Sequence, residues 1–282
     1  MKIITAVVNN PIFIEVQYHT LKKYFQGEYE FIVFDDSKDF PDFTNGNDIT
    51  IKPQIQHICS KLNITCINIK NEHHKQNTNA AARCADSMNY ILHYQKNNPD
   101  KYLLLDSDMF LIDHFDANKY SNYDCAVVLQ SRNNHKINYF WNGIYYFDMT
   151  KMNNLELLNW NCCTNCDVGG MMQKWLRTQM SNKPIPNTDE IRFTNNQYCV
   201  NNVYFIKHLW SCSWDIGEFP TNLKNNAKLI DFLKNDIRNS NGKFFCEVYD
   251  NAFLHYRAGG NWRAEGLGLH KSLSQKLKNC LL

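Results

Sequence analysis

The feature that most constrains this chain is the alternation, through its first hundred residues, of short unbroken apolar runs with longer segments of helical spacing. Residues 2–8 read as a continuous apolar strand, and residues 12–26 carry helical spacing through Ile14, Tyr18, Leu21 and Phe25. Glu30 to Phe34 reads as a second buried strand ending in Asp35-Asp36-Ser37, and Pro53 opens a helix that runs to residue 62. Ile64 to Ile69 is a third strand, residues 78–95 a long helix capped by Thr78 or Asn79, and Lys101 to Leu105 a fourth strand. Strands that are apolar throughout are buried on both faces, which calls for parallel pairing under helices on each side. The expected fold is α/β: a Rossmann-like mixed, largely parallel sheet flanked by helices.

The second half is less regular, with strands expected at 124–129, 142–147 and 203–206 and helices at 168–180, 227–237 and 271–281. No repeat or low-complexity linker marks a boundary, so residues 1–282 are expected to form a single domain of two halves, 1–130 and 131–282. A hydrophobic content of 44%, with 17 Phe, 15 Tyr and 6 Trp, supplies a sizeable core and excludes disorder. Lys and Arg number 30 against 28 Asp and Glu, a net charge of +2, so there is no broad basic face and nucleic acid is not the expected partner. The opening Met1-Lys2-Ile3-Ile4-Thr5-Ala6-Val7-Val8 has the charge and apolar character of a leader. It is too short, however, and runs into Asn9-Asn10-Pro11 without a small-residue cleavage site. No apolar stretch approaches the roughly 20 residues that span a bilayer. The expectation is a soluble, cytoplasmic protein without a transmembrane segment. The 11 Cys are an odd number, most of them single in apolar settings, which fits buried thiols in a reducing compartment. Cys162-Cys163-x-x-Cys166 invites a zinc reading, but Cys199, Cys212 and His208 are too scattered to complete a structural site.

Chemistry concentrates at two places. Lys101 to Ile112 sets Asp106 and Asp108 one residue apart directly after an apolar strand, with more apolar residues behind. Carboxylates buried there are costly unless they pair or hold a cation, and a hard ion such as Mn²⁺ or Mg²⁺ suits them. In open parallel sheets ligands bind beyond the carboxyl ends of the strands, where both Asp35-Asp36 and Asp106-Ser107-Asp108 fall. The second place is Phe253-Leu-His255-Tyr-Arg257-Ala-Gly259-Gly260-Asn-Trp262, an apolar strand ending in a histidine and a glycine turn. Such a histidine can ligate a metal, and the glycines let backbone N–H groups approach phosphate.

Together these runs resemble the GT-A glycosyltransferase superfamily, whose D-x-D motif is matched by Asp106-Ser107-Asp108. The C-terminal run is similar to the His-x-x-Gly-x-x-Lys-Pro-Trp segment of glycogenin-like enzymes, and a narrower resemblance is to small cytosolic glycosyltransferases of large DNA viruses. The resemblance covers the first ~130 residues and the last ~30, a length consistent with one α/β domain. It implies a metal at Asp106, Asp108 and His255, and a nucleotide-sugar donor, a UDP-sugar, in the 1–130 half. It implies a glycan acceptor in the 131–282 half. Thr5, Val7, Asn9, Asp36 and Arg83 match positions that contact the donor, and Ser107 and Gly260 would join them. The Lys-Pro before Trp262 is missing, so Arg257 or Arg263 would bind phosphate. Trp141-Asn142-Gly143 resembles the Asn-x-Gly strand that faces the sugar. Asp167, before Gly169-Gly170 and an expected helix, reads equally as a helix cap or as the catalytic base of an inverting transfer, with the glycines giving the acceptor access; Asp189, Glu190 and Asp215 are rivals. A nucleotidyltransferase would want a glycine-rich phosphate loop where Asn9-Asn10-Pro11 stands. A non-catalytic glycan-binding protein would not need Asp106, Asp108 and His255 together.

Overall fold

The unbroken apolar runs do become buried strands. A computed structural model describes residues 1–38, 50–70, 79–181, 183–193, 198–258 and 266–282, leaving aside the side chains of 189, 190 and 193. Its first half runs β1 (Lys2–Val7), α1 (Pro11–Tyr24), β2 (Phe25–Gln26), β3 (Glu30–Asp35), α2 (Ile51–Leu62), β4 (Thr65–Asn68), α3 (Ala80–Asn97) and β5 (Lys101–Leu105). Then follow β6 (Met109–Leu111), β7 (Phe115–Asp116), α4 (Asn118–Ser121), β8 (Cys125–Arg132) and β9 (Ile137–Asp148). The remainder holds α5 (Gln173–Met180), α6 (Thr188–Phe193), β10 (Tyr198–Val200), β11 (Val203–Phe205) and β12 (His208–Leu209). It closes with α7 (Ala227–Lys234), β13 (Glu247–Tyr249), β14 (Phe253–His255) and α8 (Leu267–Leu281).

Eight strands form the main sheet in the order β10-β11-β8-β9-β5-β1-β3-β4. The β5-β1-β3-β4 block is parallel, as is β11 beside β8, while β9 enters antiparallel between β5 and β8. Helices cover both faces. Ile3 and Val7 of β1 face Ile14 and Leu21 of α1 and Ile55 of α2, while Ile4 faces Met88, Ile91 and Leu92 of α3. This is the mixed, largely parallel sheet with flanking helices expected from the sequence. A second sheet, β12-β13-β14-β6, closes over a third core of Phe13, Val16, Phe232, Leu254, Leu273 and Leu277. No helix among the described residues is long and apolar enough to cross a membrane.

Several boundaries move for identifiable reasons. Helix α1 begins with Pro11 in its first turn and stops at Tyr24, where the chain extends so that Phe25 and Gln26 pair with Phe115 and Asp116. The cap of α3 is Asn79, whose side chain accepts from the N–H groups of Ala81 (2.9 Å) and Ala82 (3.4 Å); Thr78 lies outside the described residues. Strands β8 and β9 outrun the expected 124–129 and 142–147, because polar Gln130, Ser131 and Arg132 continue the ladder opposite Tyr139, Asn138 and Ile137. The helix expected from residue 168 becomes a 3₁₀ turn at Gly170–Met172 followed by α5, since Gly169 holds φ +88°. A Cβ at Gly169 would lie 2.2 Å from the Phe140 carbonyl oxygen. Gly169→Ala is therefore expected to cost about 1–3 kcal/mol of unfolding free energy, read by urea titration. An unchanged midpoint would contradict this packing.

Candidate metal and donor site

The D-x-D run is the junction at which β5 of the main sheet hands the chain to β6 of the second. Its backbone is fixed from three directions. The Asp106 N–H donates to the Gly143 carbonyl (2.7 Å), and the Tyr256 N–H donates to the Asp108 carbonyl (2.9 Å). From α1, buried Gln17 donates its amide to the carbonyls of Asp106 (2.7 Å) and Met109 (3.0 Å). The register of β14 then brings His255 level with Met109 on one side and Glu247 on the other.

Nε2 of His255 lies 3.0 Å from Asp108 Oδ1 and 3.9 Å from Asp106 Oδ2, and Nδ1 lies 2.8 Å from Glu247 Oε2. Glu247 also accepts from the Tyr249 hydroxyl (2.8 Å) and the Ser211 N–H (3.1 Å). Among the described residues, Asp106, Asp108 and His255 offer one ligand atom each, all within 4.8 Å of one another. Two hard carboxylates and an imidazole fit a divalent ion such as Mn²⁺ or Mg²⁺. With Glu247 accepting a hydrogen bond from Nδ1–H, Nε2 is oriented toward the carboxylates as a metal ligand would be, the usual carboxylate–histidine arrangement at metal centres. Burial pulls the His255 pKa down, but Asp108 and Glu247 outweigh it and raise the value to about 10. Burial and the adjacent Asp108 carboxylate push Asp106 up to about 7. Glu247 is held below its ordinary value: burial pushes up, and His255, Tyr249 and the Ser211 N–H outweigh it.

Asp106, Asp108 and His255 open into a cleft of about 1080 Å³. Asp36, Arg83, Ser107, Asp167 and Arg257, all singled out in the sequence, line it together with the triad. Asp36 is buried at the end of β3 and accepts from the Ser87 hydroxyl. Arg257 donates to Ser211 Oγ (2.8 Å). At the end of β1 it is Ala6, and Val8 just beyond the strand, that line the cleft, while the Thr5 and Val7 side chains are buried on the other face. Asn9 is not among the described residues lining the cleft either, and Gly260, with Gly259, Trp262 and Arg263, lies outside the described residues.

Asp167 is not a helix cap. Its Oδ1 accepts from the adjacent Val168 N–H (2.8 Å), and the helical turn that follows has no side-chain cap. Gly169 and Gly170 are buried against Phe140 and Cys163, so they serve packing rather than access for an acceptor. Asp215 caps its own turn through the Gly217 N–H (2.8 Å), pairs with Lys243 and is not among the cleft-lining residues, while the side chains of Asp189 and Glu190 lie outside the described set. Cys162, Cys163 and Cys166 do not join any metal-holding group among the described residues.

Sequence reasoning missed Gln17, Lys38 and Glu247. Lys38 lines the cleft near Asp36 and Arg83; burial and the Arg83 charge lower its pKa to about 8. Glu247 had a signal. Asp250-Asn251 between two apolar segments marks a tight hairpin, both residues have positive φ (46° and 60°), and folding it back sets Glu247 opposite His255.

No protein-family model matches the chain, and no curated protein matches it. Among solved structures it is similar to the galactosyltransferase LgtC in complex with donor and acceptor sugar analogues, at 16% identity and a TM-score of 0.37 over 54% of this chain and 59% of that one. An active-site variant of LgtC aligns at 15% identity and a TM-score of 0.38, over 54% of this chain and 58% of the other. The matched region thus spans less than two thirds of either structure.

Two outcomes follow from the Glu247–His255–Asp108 geometry. Glu247→Gln should weaken Mn²⁺ binding by about 10–100-fold, the usual effect of losing such a partner, measured by calorimetric titration; equal affinity would make Glu247 a bystander. The second is linkage. A histidine whose folded pKa is raised from 6.5 to about 10 adds stability that is complete below 6.5 and lost as pH climbs through 10. In chelator, the melting-temperature advantage of the wild type over His255→Gln should therefore shrink between those values. A pH-independent difference would contradict it.

Proposed function

We propose that the protein is a metal-dependent glycosyltransferase of the GT-A type, moving a sugar from a nucleoside diphosphate sugar, a UDP-sugar first among them, to a glycan hydroxyl. The observation that carries this reading is the Asp106–Asp108–His255 group at the carboxyl end of a parallel-sheet strand, inside a cleft that also holds Asp36 and Arg83. Asp106, Asp108 and His255 would hold Mn²⁺ or Mg²⁺, which when bound offsets the negative charge of a departing diphosphate.

The chain's own groups do the rest. Asp36, at the end of β3, is suited to accept from ribose hydroxyls, and Arg83 and Lys38 add positive charge at that end of the cleft. Arg257, tethered to Ser211, can donate to the diphosphate. Asp167, on the cleft wall with an exposed carboxylate, is the group proposed to take the proton of the acceptor hydroxyl in an inverting transfer. In this reading residues 1–130 bind the nucleotide sugar and 131–282 the acceptor, with the C-terminal segment of His255 and Arg257 joining the metal and diphosphate site, within a single domain.

A thermal-shift series with UDP-sugars tests the donor claim, since a ligand at a hundred times its Kd adds about 2.7 kcal/mol of stability. Shifts should require Mn²⁺ or Mg²⁺. Asp108→Asn should remove both shift and turnover while its circular dichroism stays that of a folded chain. Equal shifts in EDTA would sink the reading. For the base, Asp167→Asn should slow transfer by about 10²–10⁴-fold with donor binding retained, and proton NMR of fresh product should show inversion. Retained configuration, or near-normal transfer, would leave Asp167 a turn residue.

A further inference from the structure

Two tryptophans stand in the cleft beside the triad. Trp141, on β9, has its ring centroid 5.1 Å from that of His255 and stacks on Tyr249 at 5.0 Å with 13° between the planes. Its indole lies across Gly143, where a Cβ would come within 2.0 Å of the ring. Trp210, directly after β12, meets Trp141 edge to face at 6.3 Å and 84°, and rests 4.0 Å from His208. Both rings line the cleft and both remain partly exposed. The Trp210 carbonyl accepts from the Ser213 hydroxyl (2.6 Å) and N–H (3.1 Å), which fixes the backbone behind the ring. The pair makes a right-angled aromatic corner in a cleft otherwise rich in charge.

Sheet order says which side of the triad the corner occupies. Asp36 follows β3, Asp106 follows β5, and Trp141 lies on β9, the neighbour of β5 on the side away from β1 and β3. Trp210 follows β12, the edge strand of the second sheet opposite β6. A donor nucleotide held at Asp36 and Arg83 would therefore reach the triad from the other flank. Partly exposed indole rings beside polar groups suit a ligand with one apolar face and a rim of hydroxyls, the chemistry of a neutral hexopyranose.

We propose that Trp141 and Trp210 form a stacking subsite for the terminal neutral hexopyranose of the acceptor, with Trp210 as its principal face. The assignment to the acceptor rests on the transferase reading; the sugar-binding chemistry of the corner does not. The test uses the full chain and methyl hexopyranosides in saturation-transfer-difference NMR, beside the Mn²⁺-dependent thermal shift with UDP-sugars. Ring C–H protons should be saturated in the wild type. Trp210→Ala should raise the glycoside Kd by about tenfold, the loss of one good ring contact, while Trp210→Phe should restore most of it and show that the fold is kept. Donor affinity in both variants should stay within about twofold of the wild type. No glycoside signal alongside normal donor binding would overturn the subsite and spare the transferase reading. A Trp210-dependent glycoside signal without donor binding would support the sugar subsite while the transferase reading fails. Donor affinity falling with Trp210→Ala would assign the stack to the donor sugar and overturn the proposal, as would an unchanged glycoside signal.

Discussion

The contact on which the site depends is the line Asp108–His255–Glu247, at 3.0 Å and 2.8 Å, with all three side chains almost wholly buried. Charges in such a place are tolerable only when each is matched, because desolvating an unpaired carboxylate costs several kcal/mol or more. His255 can serve both neighbours only if β14 lies between β6 and β13 in the observed register. That register in turn requires the chain to leave the main sheet immediately after Asp106. The buried Gln17 amide, holding the carbonyls of Asp106 and Met109, ties this departure to α1.

The same constraint shapes the aromatic layer. Gly143 faces Asp106 across the β5–β9 ladder, and its lack of a side chain lets the Trp141 indole lie over the strand and against Tyr249, whose hydroxyl donates to Glu247. A third anchor lies at the hairpin turn. Asp250 accepts from the hydroxyls of Tyr120 (2.9 Å) and Tyr204 (3.0 Å), with Lys119 3.1 Å away, and so joins the hairpin carrying Glu247 and His255 to the main-sheet side. Polar contacts are spent on fixing a few backbones, and the cleft between them keeps its charged groups turned inward.

What the sequence discloses follows from what its pattern encodes. Strands β1, β3 and β5 are legible because burial on both faces leaves a nearly unbroken apolar run at their centres, and Asp106, Asp108 and His255 are legible because a charge at the end of such a run is anomalous. The parity of β1 is not legible: in a run apolar on both faces nothing distinguishes Thr5 and Val7 from Ala6 and Val8, and only the latter reach the cleft. The extension of β8 and β9 is hidden because Gln130, Ser131 and Arg132 end the apolar run while the backbone ladder continues opposite Tyr139, Asn138 and Ile137. Asp167 resembled a cap only while Gly169 was assumed helical, and its positive φ removes that reading. Glu247 could have been found from the Asp250-Asn251 turn; Gln17 could not, since its partners are carbonyls that every residue carries.

The central claim is that Asp106, Asp108 and His255 together hold a divalent cation on which donor binding depends. Anomalous diffraction at the manganese edge, from crystals grown with Mn²⁺ and a UDP-sugar, addresses it most directly. The expected result is one strong peak flanked by the two carboxylates and Nε2 of His255, with diphosphate density against it. A manganese peak elsewhere, or bound nucleotide with no metal between Asp108 and His255, would contradict the account.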